Sequence, residues 1–536
     1  MLRKNNIRKT NIVSHDRIVL SLPAFIFVAT ITNFVLFHFP LFSLASDSLI
    51  FWSYSGFFSY VTLAVLVLVF TAVSLYLISF ISIYLAKAFC LLSVAINAVA
   101  LYFMMTYQVM LDKTMVSNIL NTNIEESIDF AHPKLIVYLL FLAIIPSYLL
   151  LRTKVTKLHR GKLILQASAV LMLGVLWIYS ASSTWLWFDE NAKKLGGRIL
   201  PWSYVIGLTR LYSEASEEQE IQTLLPLAHF ISDQDVDQKR IVVLVIGETA
   251  RSDNFSLYDY TKNTNPLLEK QDVIALQNAY ACTTYTSASL KCILSHTDDD
   301  GVFSTNYEVL PSYLRRHDVD VIWRTNNWGE PPVTVTSYTH ASDLRKTCKG
   351  PGCPYDEALL YGLVERIESS DKRNILVILH QKGSHGPAYN KRYPAEFRQF
   401  LPECDTVDLQ KCSQQALVNA YDNSILYTDY FLNRTINILK NMSSASTMMM
   451  YVSDHGESLG EYNLYLHGTP YSVAPDVQKK IPFLLWMSDT FIDSQNISPE
   501  KLKQRSSHTQ YNVFHSIMGA FDMRSDIYKE DLNLFQ

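Results

Sequence analysis

Between Ser48 and Ala86 the chain carries no charged side chain, and Lys87 alone separates that run from a further apolar stretch ending near Tyr107. A hydrocarbon layer demands such runs, at about 20 helical residues per crossing. Ser48–Tyr107 therefore predicts two membrane spans that turn near Lys87. The same reading places a first span over Ile18–Phe39 and a fifth over Leu163–Ser182. A fourth covers Leu135–Leu151 with Pro146 inside it, which neighbouring helices tolerate. Beyond about residue 185 mixed charges return, so the overall hydrophobic content of 49% averages two unlike halves. A chain of 536 residues is expected to form two or more folding units. Its net charge of −4 excludes a strongly basic nucleic-acid binder.

Lysine and arginine in the short loops set the orientation. The N-terminus carries Arg3, Lys4, Arg8, Lys9 and Arg17, and the fourth-to-fifth loop carries Arg152, Lys154, Lys157, Arg160 and Lys162. Loop 40–56 has neither residue type, and loop 108–134 has only Lys113 and Lys134. The N-terminus is thus expected inside, and an odd number of crossings puts everything after Ser182 outside.

The cysteines predict the same side independently. Cys90 stands alone in an apolar run. The other six fall in the C-terminal half as close pairs: Cys282 with Cys292, Cys348 with Cys353, and Cys404 with Cys412. Local pairing of this kind suggests disulfides, which persist in oxidising compartments. Spacings without a repeated CxxC speak against structural zinc on thiolates. Residues 183–237 are expected to bridge the halves, with Trp185 and Trp187 at the interface and an acidic helical stretch near Glu214–Glu220. The outer loop 108–134 is polar beyond a connector's needs, through Asn118, Asn121, Thr122, Asn123, Glu125 and Glu126. From the residues alone it reads as a solvated turn.

In the soluble half, Ile241–Ile246, Val319–Trp323, Ile375–Leu379 and Met448–Val452 are aliphatic runs separated by helical patterning. They predict buried parallel strands of an α/β sheet, whose sites gather at the strands' carboxyl ends. The residues following them are Glu248, then His380 and His385, then Asp454-His455 with His467 a short loop on. This is a convergent set of oxygen and imidazole donors suited to zinc or manganese. The first cysteine pair brackets Thr283-Thr284-Tyr285-Thr286-Ser287, which is expected to present a nucleophile.

The motifs IGETARSDNFSLYDY (246–260), CTTYTSASLKC (282–292), GSHGPAYNKRYP (383–394), NAYDNSILYTDYF (419–431) and VSDHGESLGEYNLYLHGTP (452–470) resemble those of phosphoethanolamine transferases of Gram-negative inner membranes. The mobile colistin-resistance enzymes belong to that family, and the resemblance covers essentially the whole chain. It implies a multi-pass α-helical membrane domain plus an α/β periplasmic domain of the alkaline phosphatase/sulfatase type. In these terms residues 1–182 are a five-helix transmembrane domain with a cytoplasmic N-terminus. Residues 183–237 are the periplasmic bridge, and 238–536 are the zinc-dependent catalytic domain. The resemblance further implies Zn²⁺ held by Glu248, Thr286, Asp454 and His455, with Thr286 as nucleophile. His385 and His467 would hold a second zinc or steady the phosphate. His380, Asn118, Thr122 and Glu126 would contact substrate. The implied donor is phosphatidylethanolamine and the acceptor lipid A or another envelope molecule.

One stretch departs from the family. After Asn327 stands Trp328-Gly329-Glu330-Pro331-Pro332, where colistin-resistance relatives carry a serine and then a lysine near the ethanolamine group. That bears on acceptor and headgroup contacts, not on the metal chemistry. A phosphoglycerol transferase or phosphatase of the same superfamily is the rival enzyme reading. A sulfatase would need a CxPxR-like run, which is missing around Thr286. From another class, a catalytically silent membrane scaffold or polymyxin sensor would have no need of the full donor set.

Overall fold

The computed structural model describes residues 18–122, 127, 128, 130, 132–181, 184–218, 222–231, 238–297 and 306–536. Contacts divide the chain into two units, Met1–Tyr102 with Pro133–Ser203 and Phe103–His132 with Tyr204–Gln536. This grouping differs from the compositional one: residues 103–132, which include most of loop 108–134, go with the C-terminal unit, and 183–203 with the helical one.

In the helical unit α1 (Leu22–Phe37) and α2 (Phe39–Ser48) are followed by α3 (Tyr54–Ile81) and α4 (Ile83–Tyr107). Next come the continuous helix α5 (Pro133–Arg152) and α6 (Arg160–Ser180). α3 to α6 are each long and apolar enough to cross a membrane, and α1 with α2 makes a fifth candidate bent by 56°. The bend falls at His38, just before Pro40, whose missing N–H cannot bond back into α1. Loop 40–56 is thus partly helical. Ile18–Ser21, expected inside the first span, instead pairs in parallel with Thr153–Thr156.

The turn expected near Lys87 lies five residues earlier, at Ser82, whose backbone is extended and whose hydroxyl accepts the Tyr84 N–H at 3.2 Å. Lys87 stays inside α4 because its long stem carries the ammonium to the Thr153 carbonyl at 2.8 Å. Pro146 is accommodated by a widened π-helical turn over Leu139–Ile144 just ahead of it. Leu22, Phe25 and Ile26 of α1 pack with Leu75, Cys90 and Leu163.

Cys90 is a buried free thiol. The other six cysteines pair as their spacing suggested. Cys282 is bonded to Cys292, ten residues on, across the segment that contains Thr286. Cys348 is bonded to Cys353, and Cys404 to Cys412, each closing a short loop. None of the six is therefore available as a thiolate ligand.

The C-terminal unit is built on a seven-stranded sheet. In chain order the strands are β1 (Arg240–Gly247), β2 (Ile274–Ala275), β3 (Asp320–Thr325), β4 (Ser337–His340), β5 (Asn374–His380), β6 (Ser446–Ser453) and β7 (Phe483–Met487). In space they run β2-β7-β6-β1-β5-β3-β4. The four runs read from sequence are β1, β3, β5 and β6, and all are parallel. β7 adds to β6 antiparallel. The four central strands are buried throughout, which explains their lack of polar alternation. Helix α7 (Thr286–Leu294) supplies Thr286 to the site, and the long α8 (Gln414–Asn441) braces the segment after β1, where the Tyr421 hydroxyl donates to the Thr249 carbonyl at 2.8 Å.

Candidate active site

β1 and β6 are neighbours in register, Ile246 opposite Val452 and Gly247 opposite Ser453. Their carboxyl ends therefore deliver Glu248 and Asp454-His455 side by side. All three are fully buried. His455 Nε2 lies 3.2 Å from Asp454 Oδ2 and 3.7 Å from Glu248 Oε1. Thr286, the first residue of α7, brings its Oγ1 to 3.4 and 3.3 Å from the Glu248 oxygens and 3.3 Å from His455 Nε2. Sequence reasoning grouped these four residues, and they meet.

His467 also closes on them: donor atoms of Glu248, His455 and His467 all lie within 4.8 Å of one another. Its ring centroid is 4.4 Å from that of His455 and 5.3 Å from that of His385. His380 packs one layer behind, its Nδ1 3.2 Å from Thr325 Oγ1 and its ring edge-on to Trp323. Thr325 in turn donates to the Asn327 carbonyl, and Asn327 Nδ2 donates to Glu248 Oε2.

Two short loops are pinned around the cluster. Gly468 N donates to the Thr284 carbonyl at 2.8 Å, and Thr284 Oγ1 donates to the Thr469 carbonyl at 2.6 Å. The loop leading into Thr286 is thus tied to the loop carrying His467. Its other restraint is covalent, since the disulfide from Cys282 reaches Cys292 inside α7. Helix Lys113–Asn121 reaches the same place, since a Cβ on Gly468 would lie 3.1 Å from Asn118 Nδ2. Thr122 Oγ1 donates to the Asn118 carbonyl at 2.8 Å. Glu126 lies outside the described residues.

Several residues that hold the site were not singled out from sequence. Thr249 adopts a left-handed backbone, φ 58°, which costs a β-branched residue free energy. That conformation points its N–H at Asp454 Oδ1 (2.9 Å) while its hydroxyl donates to Glu248 Oε1 (2.6 Å). Gly383 is also left-handed, and a Cβ there would stand 2.6 Å from the Glu248 carbonyl oxygen, so only glycine fits. Fully buried Gln510 accepts the Cys282 N–H at 3.0 Å and donates to the Ser453 and Asp454 carbonyls. Glu457 Oε2 sits 3.2 Å from His467 Nδ1. Thr249 and Glu457 stand within motifs already visible in the sequence; Gln510 carries no local signal.

The electrostatics favour a cation. Burial, followed by the neighbouring Asp454 charge, pushes Glu248 up to about 8. Burial raises Asp454 to about 6 against the hydrogen bonds it accepts. Burial drives His455 down to about 4 and His385 well below its ordinary value, so both imidazoles are neutral donors. Two buried carboxylates and neutral imidazole around one hydroxyl suit a divalent ion of the oxygen- and nitrogen-binding kind. Thr286 also begins a helix, whose free N–H groups and dipole favour a phosphate.

Residues 240–523 match the family model described as Sulfatase, and residues 63–215 match that described as Phosphoethanolamine transferase EptA/EptB. The phosphoethanolamine transferase EptA of Helicobacter pylori is 37% identical over 514 residues, 94% of each chain. The phosphatidylethanolamine transferase Mcr-1 of Escherichia coli is 33% identical over 451 residues, 78% of this chain and 83% of that one. The integral membrane lipooligosaccharide phosphoethanolamine transferase A of Neisseria meningitidis superposes with a TM-score of 0.90 at 26% identity. That match covers 97% of this chain and 99% of the other. With its apolar helices and sulfatase-type α/β unit, the chain belongs to the phosphoethanolamine transferase family.

Proposed function

We propose that this chain transfers phosphoethanolamine from phosphatidylethanolamine to an envelope acceptor, lipid A of lipopolysaccharide, through a covalent intermediate on Thr286. The observation that carries the reading is the Thr286 hydroxyl, held 3.3–3.4 Å from Glu248 and His455 at the first turn of a helix. A threonine hydroxyl is a weak nucleophile at neutral pH. Bound Zn²⁺, held by Glu248, Asp454, His455 and Thr286, would supply the positive charge that eases loss of its proton and screens the phosphate.

In the first step Thr286 Oγ1 forms a bond to phosphorus and the bond from phosphorus to the diacylglycerol oxygen breaks. The threonine proton ends on diacylglycerol. In the second, an oxygen of the acceptor phosphate attacks phosphorus and displaces Thr286, which regains a proton. The α7 N-terminus and His385 and His467 orient the phosphoryl oxygens through both steps. Glu457 holds the His467 ring, and Asn118 and Thr122 line the approach beside Gly468. The N-terminal helices anchor the site at the bilayer that contains the donor, with the catalytic unit on the periplasmic face of the inner membrane. Such anchoring raises the effective donor concentration.

Two steps through an intermediate predict ping-pong kinetics. Mass spectrometry of lipid A from Gram-negative cells expressing the chain tests the proposal directly. A phosphoethanolamine adduct is expected with the unaltered protein and not with Thr286→Ala. An adduct undiminished in the variant would remove the threonine from the mechanism. No adduct in either, with the protein inserted and metal-loaded, would move the acceptor elsewhere.

A further inference from the structure

Between His455 and His467 the chain makes a hairpin, Ser458–Leu459 antiparallel to Tyr465–Leu466, and the transfer chemistry uses nothing at its tip. The tip turn is Glu461-Tyr462-Asn463-Leu464, closed by the Leu464 N–H on the Glu461 carbonyl at 2.9 Å. Both central residues are left-handed, Tyr462 at φ 53°, ψ 28° and Asn463 at φ 59°. Such turns favour asparagine or glycine, and a bulky side chain in them costs free energy. The ring does not offset that cost by packing: Tyr462 is 87% exposed and has no hydrogen bond or ring contact among the described residues. The turn beneath it is braced all the same. Glu461 pairs with Arg251 at 2.7 Å and accepts the Leu459 N–H at 2.6 Å.

The hairpin is tied at two places to the stretch of chain around the end of α4. That helix is long and apolar enough to cross a bilayer, and it ends at Tyr107. The Tyr107 hydroxyl donates to the Val407 carbonyl at 3.0 Å, and Gln410 Nε2 donates to the Met105 carbonyl at 3.2 Å. The Cys404–Cys412 loop therefore sits against the last turn of α4. Gln414, two residues beyond that loop, donates to the Leu459 carbonyl at 2.8 Å. On the other side, Met115 and Asn118 of helix Lys113–Asn121 meet Gly468, two residues beyond the second strand. Tyr462 is three residues from Leu459, within about 10 Å of it.

We propose that Tyr462 is a bilayer contact: the hairpin tip rests in the headgroup layer of the membrane that α4 crosses, with the Tyr462 ring at the boundary of water and hydrocarbon. The inference goes beyond the transfer reading and needs only the membrane assignment. A phenol has an apolar body and a polar end, and that boundary is where such a side chain gains most. Pairing of Glu461 with Arg251 removes a net charge that would oppose entry. Strain retained at an exposed tip then has a use outside the protein. The contact holds the hairpin, and with it His467, at the level of lipid phosphates.

Tyr462→Cys offers one accessible thiol for a nitroxide label, because Cys90 is buried and the other six cysteines are bonded. The labelled full-length protein, in nanodiscs of phosphatidylethanolamine and phosphatidylglycerol, is probed with oxygen, which concentrates in lipid, and with a water-soluble nickel chelate. The ratio of oxygen to nickel collisions is expected to be severalfold above that of the same label at Ser369→Cys, an exposed position near the amino end of β5. Equal ratios at the two positions overturn the contact. So does a label at 462 shielded from both reagents, which would reveal a protein neighbour such as a second copy of the chain. An excess that appears only when lipid A is added would assign the tip to the acceptor and overturn it as well.

Unlabelled variants remove the nitroxide's own affinity for lipid. Tyr462→Asn deletes the ring and suits the left-handed turn, so Tm should rise by about 1–2 °C. The KM for donor lipid in the bilayer should rise severalfold at unchanged kcat, and Tyr462→Trp should keep the KM of the unaltered protein. An unchanged KM in Tyr462→Asn, or a fall in its Tm that shows the ring packing within the protein, overturns the proposal. Only this arm uses transfer activity. Absence of the lipid A adduct would therefore sink the transfer reading and leave the bilayer contact to be decided by the collision ratios.

Discussion

The two ends of the central sheet both bury carboxylates, and they treat them in opposite ways. At the amino ends, Asp320 of β3 takes the Arg366 guanidinium at 2.8 and 2.9 Å, and Arg240 of β1 meets Asp522 at 2.7 Å. At the carboxyl ends, Glu248 and Asp454 are more deeply buried than Asp320; after burial the Asp454 charge is the largest influence on Glu248, and Asp454 itself is eased only by hydrogen bonds, from Glu248, Thr286 and the Thr249 and His455 N–H groups. Burial raises Asp320 too, but hydrogen bonds from Arg366, Ser370 and Thr336, with the Arg366 charge, outweigh it and hold the group below its ordinary value. A charge that the fold itself satisfies serves structure. Like charges left facing each other serve a ligand that carries the opposite sign.

Exchanging one carboxylate at each end should separate the two uses. Asp454→Asn is expected to lower transfer by roughly a hundredfold to a thousandfold and to deplete bound metal. Stability of the metal-free protein should not fall, because a mutual repulsion is removed. Calorimetric unfolding of the chelated variant checks this, and a large loss of stability would make Asp454 a structural residue. Asp320→Asn should do the opposite, lowering stability by about 2 kcal/mol through an unpaired Arg366, with transfer per folded molecule unchanged. If Asp320→Asn instead abolished transfer in folded protein, the division between the ends would fail.

Glu457→Gln probes the support behind the site at the carboxyl ends. The carboxylate sits 3.2 Å from His467 Nδ1, and an amide there still hydrogen-bonds but carries no charge. A loss of about tenfold in turnover is expected, with metal content largely kept. Loss of all metal would place Glu457 among the direct ligands.

The fold was legible where one physical demand ruled. Uncharged runs marked the membrane helices, and unbroken aliphatic runs marked β1, β3, β5 and β6, because both are answers to complete burial. The disulfides were legible because Cys292, Cys353 and Cys412 each stand within ten residues of the partner that precedes them. Breaks and edges were less legible. Ser82 and His38 end helices through backbone geometry, and Lys87 stays in its helix only because a distant carbonyl, Thr153, receives it. β7 is antiparallel, and its partner β6 is chosen in three dimensions. At the site, the residues with strand-end motifs were readable, since chemistry restricts their types. Gln510 was not, because its role depends on joining Cys282 to Asp454 across the fold and nothing in its own sequence context records that.

The opposite pKa directions at the two ends predict opposite pH limbs for the metal-stripped protein. Glu248 is raised from 4.5 to about 8, so its stabilising contribution is full below 4.5 and is lost as pH rises through about 8. Asp454, raised from 3.8 to about 6, adds a loss in the same direction. Asp320 is depressed below 3.8, so its contribution is present above 3.8 and is lost as pH falls through its lower folded value. The Tm of the chelated full-length protein should therefore decline on both sides, on the acid side through Asp320 and towards alkaline pH through Glu248 and Asp454. Glu248→Gln should flatten the alkaline limb and leave the acid one, while Asp320→Asn should flatten only the acid limb. Adding Zn²⁺ should also flatten the alkaline limb, because a bound cation keeps both carboxylates ionised at little cost. An alkaline limb unchanged by Glu248→Gln would mean that repulsion between these two carboxylates is not what the cation relieves.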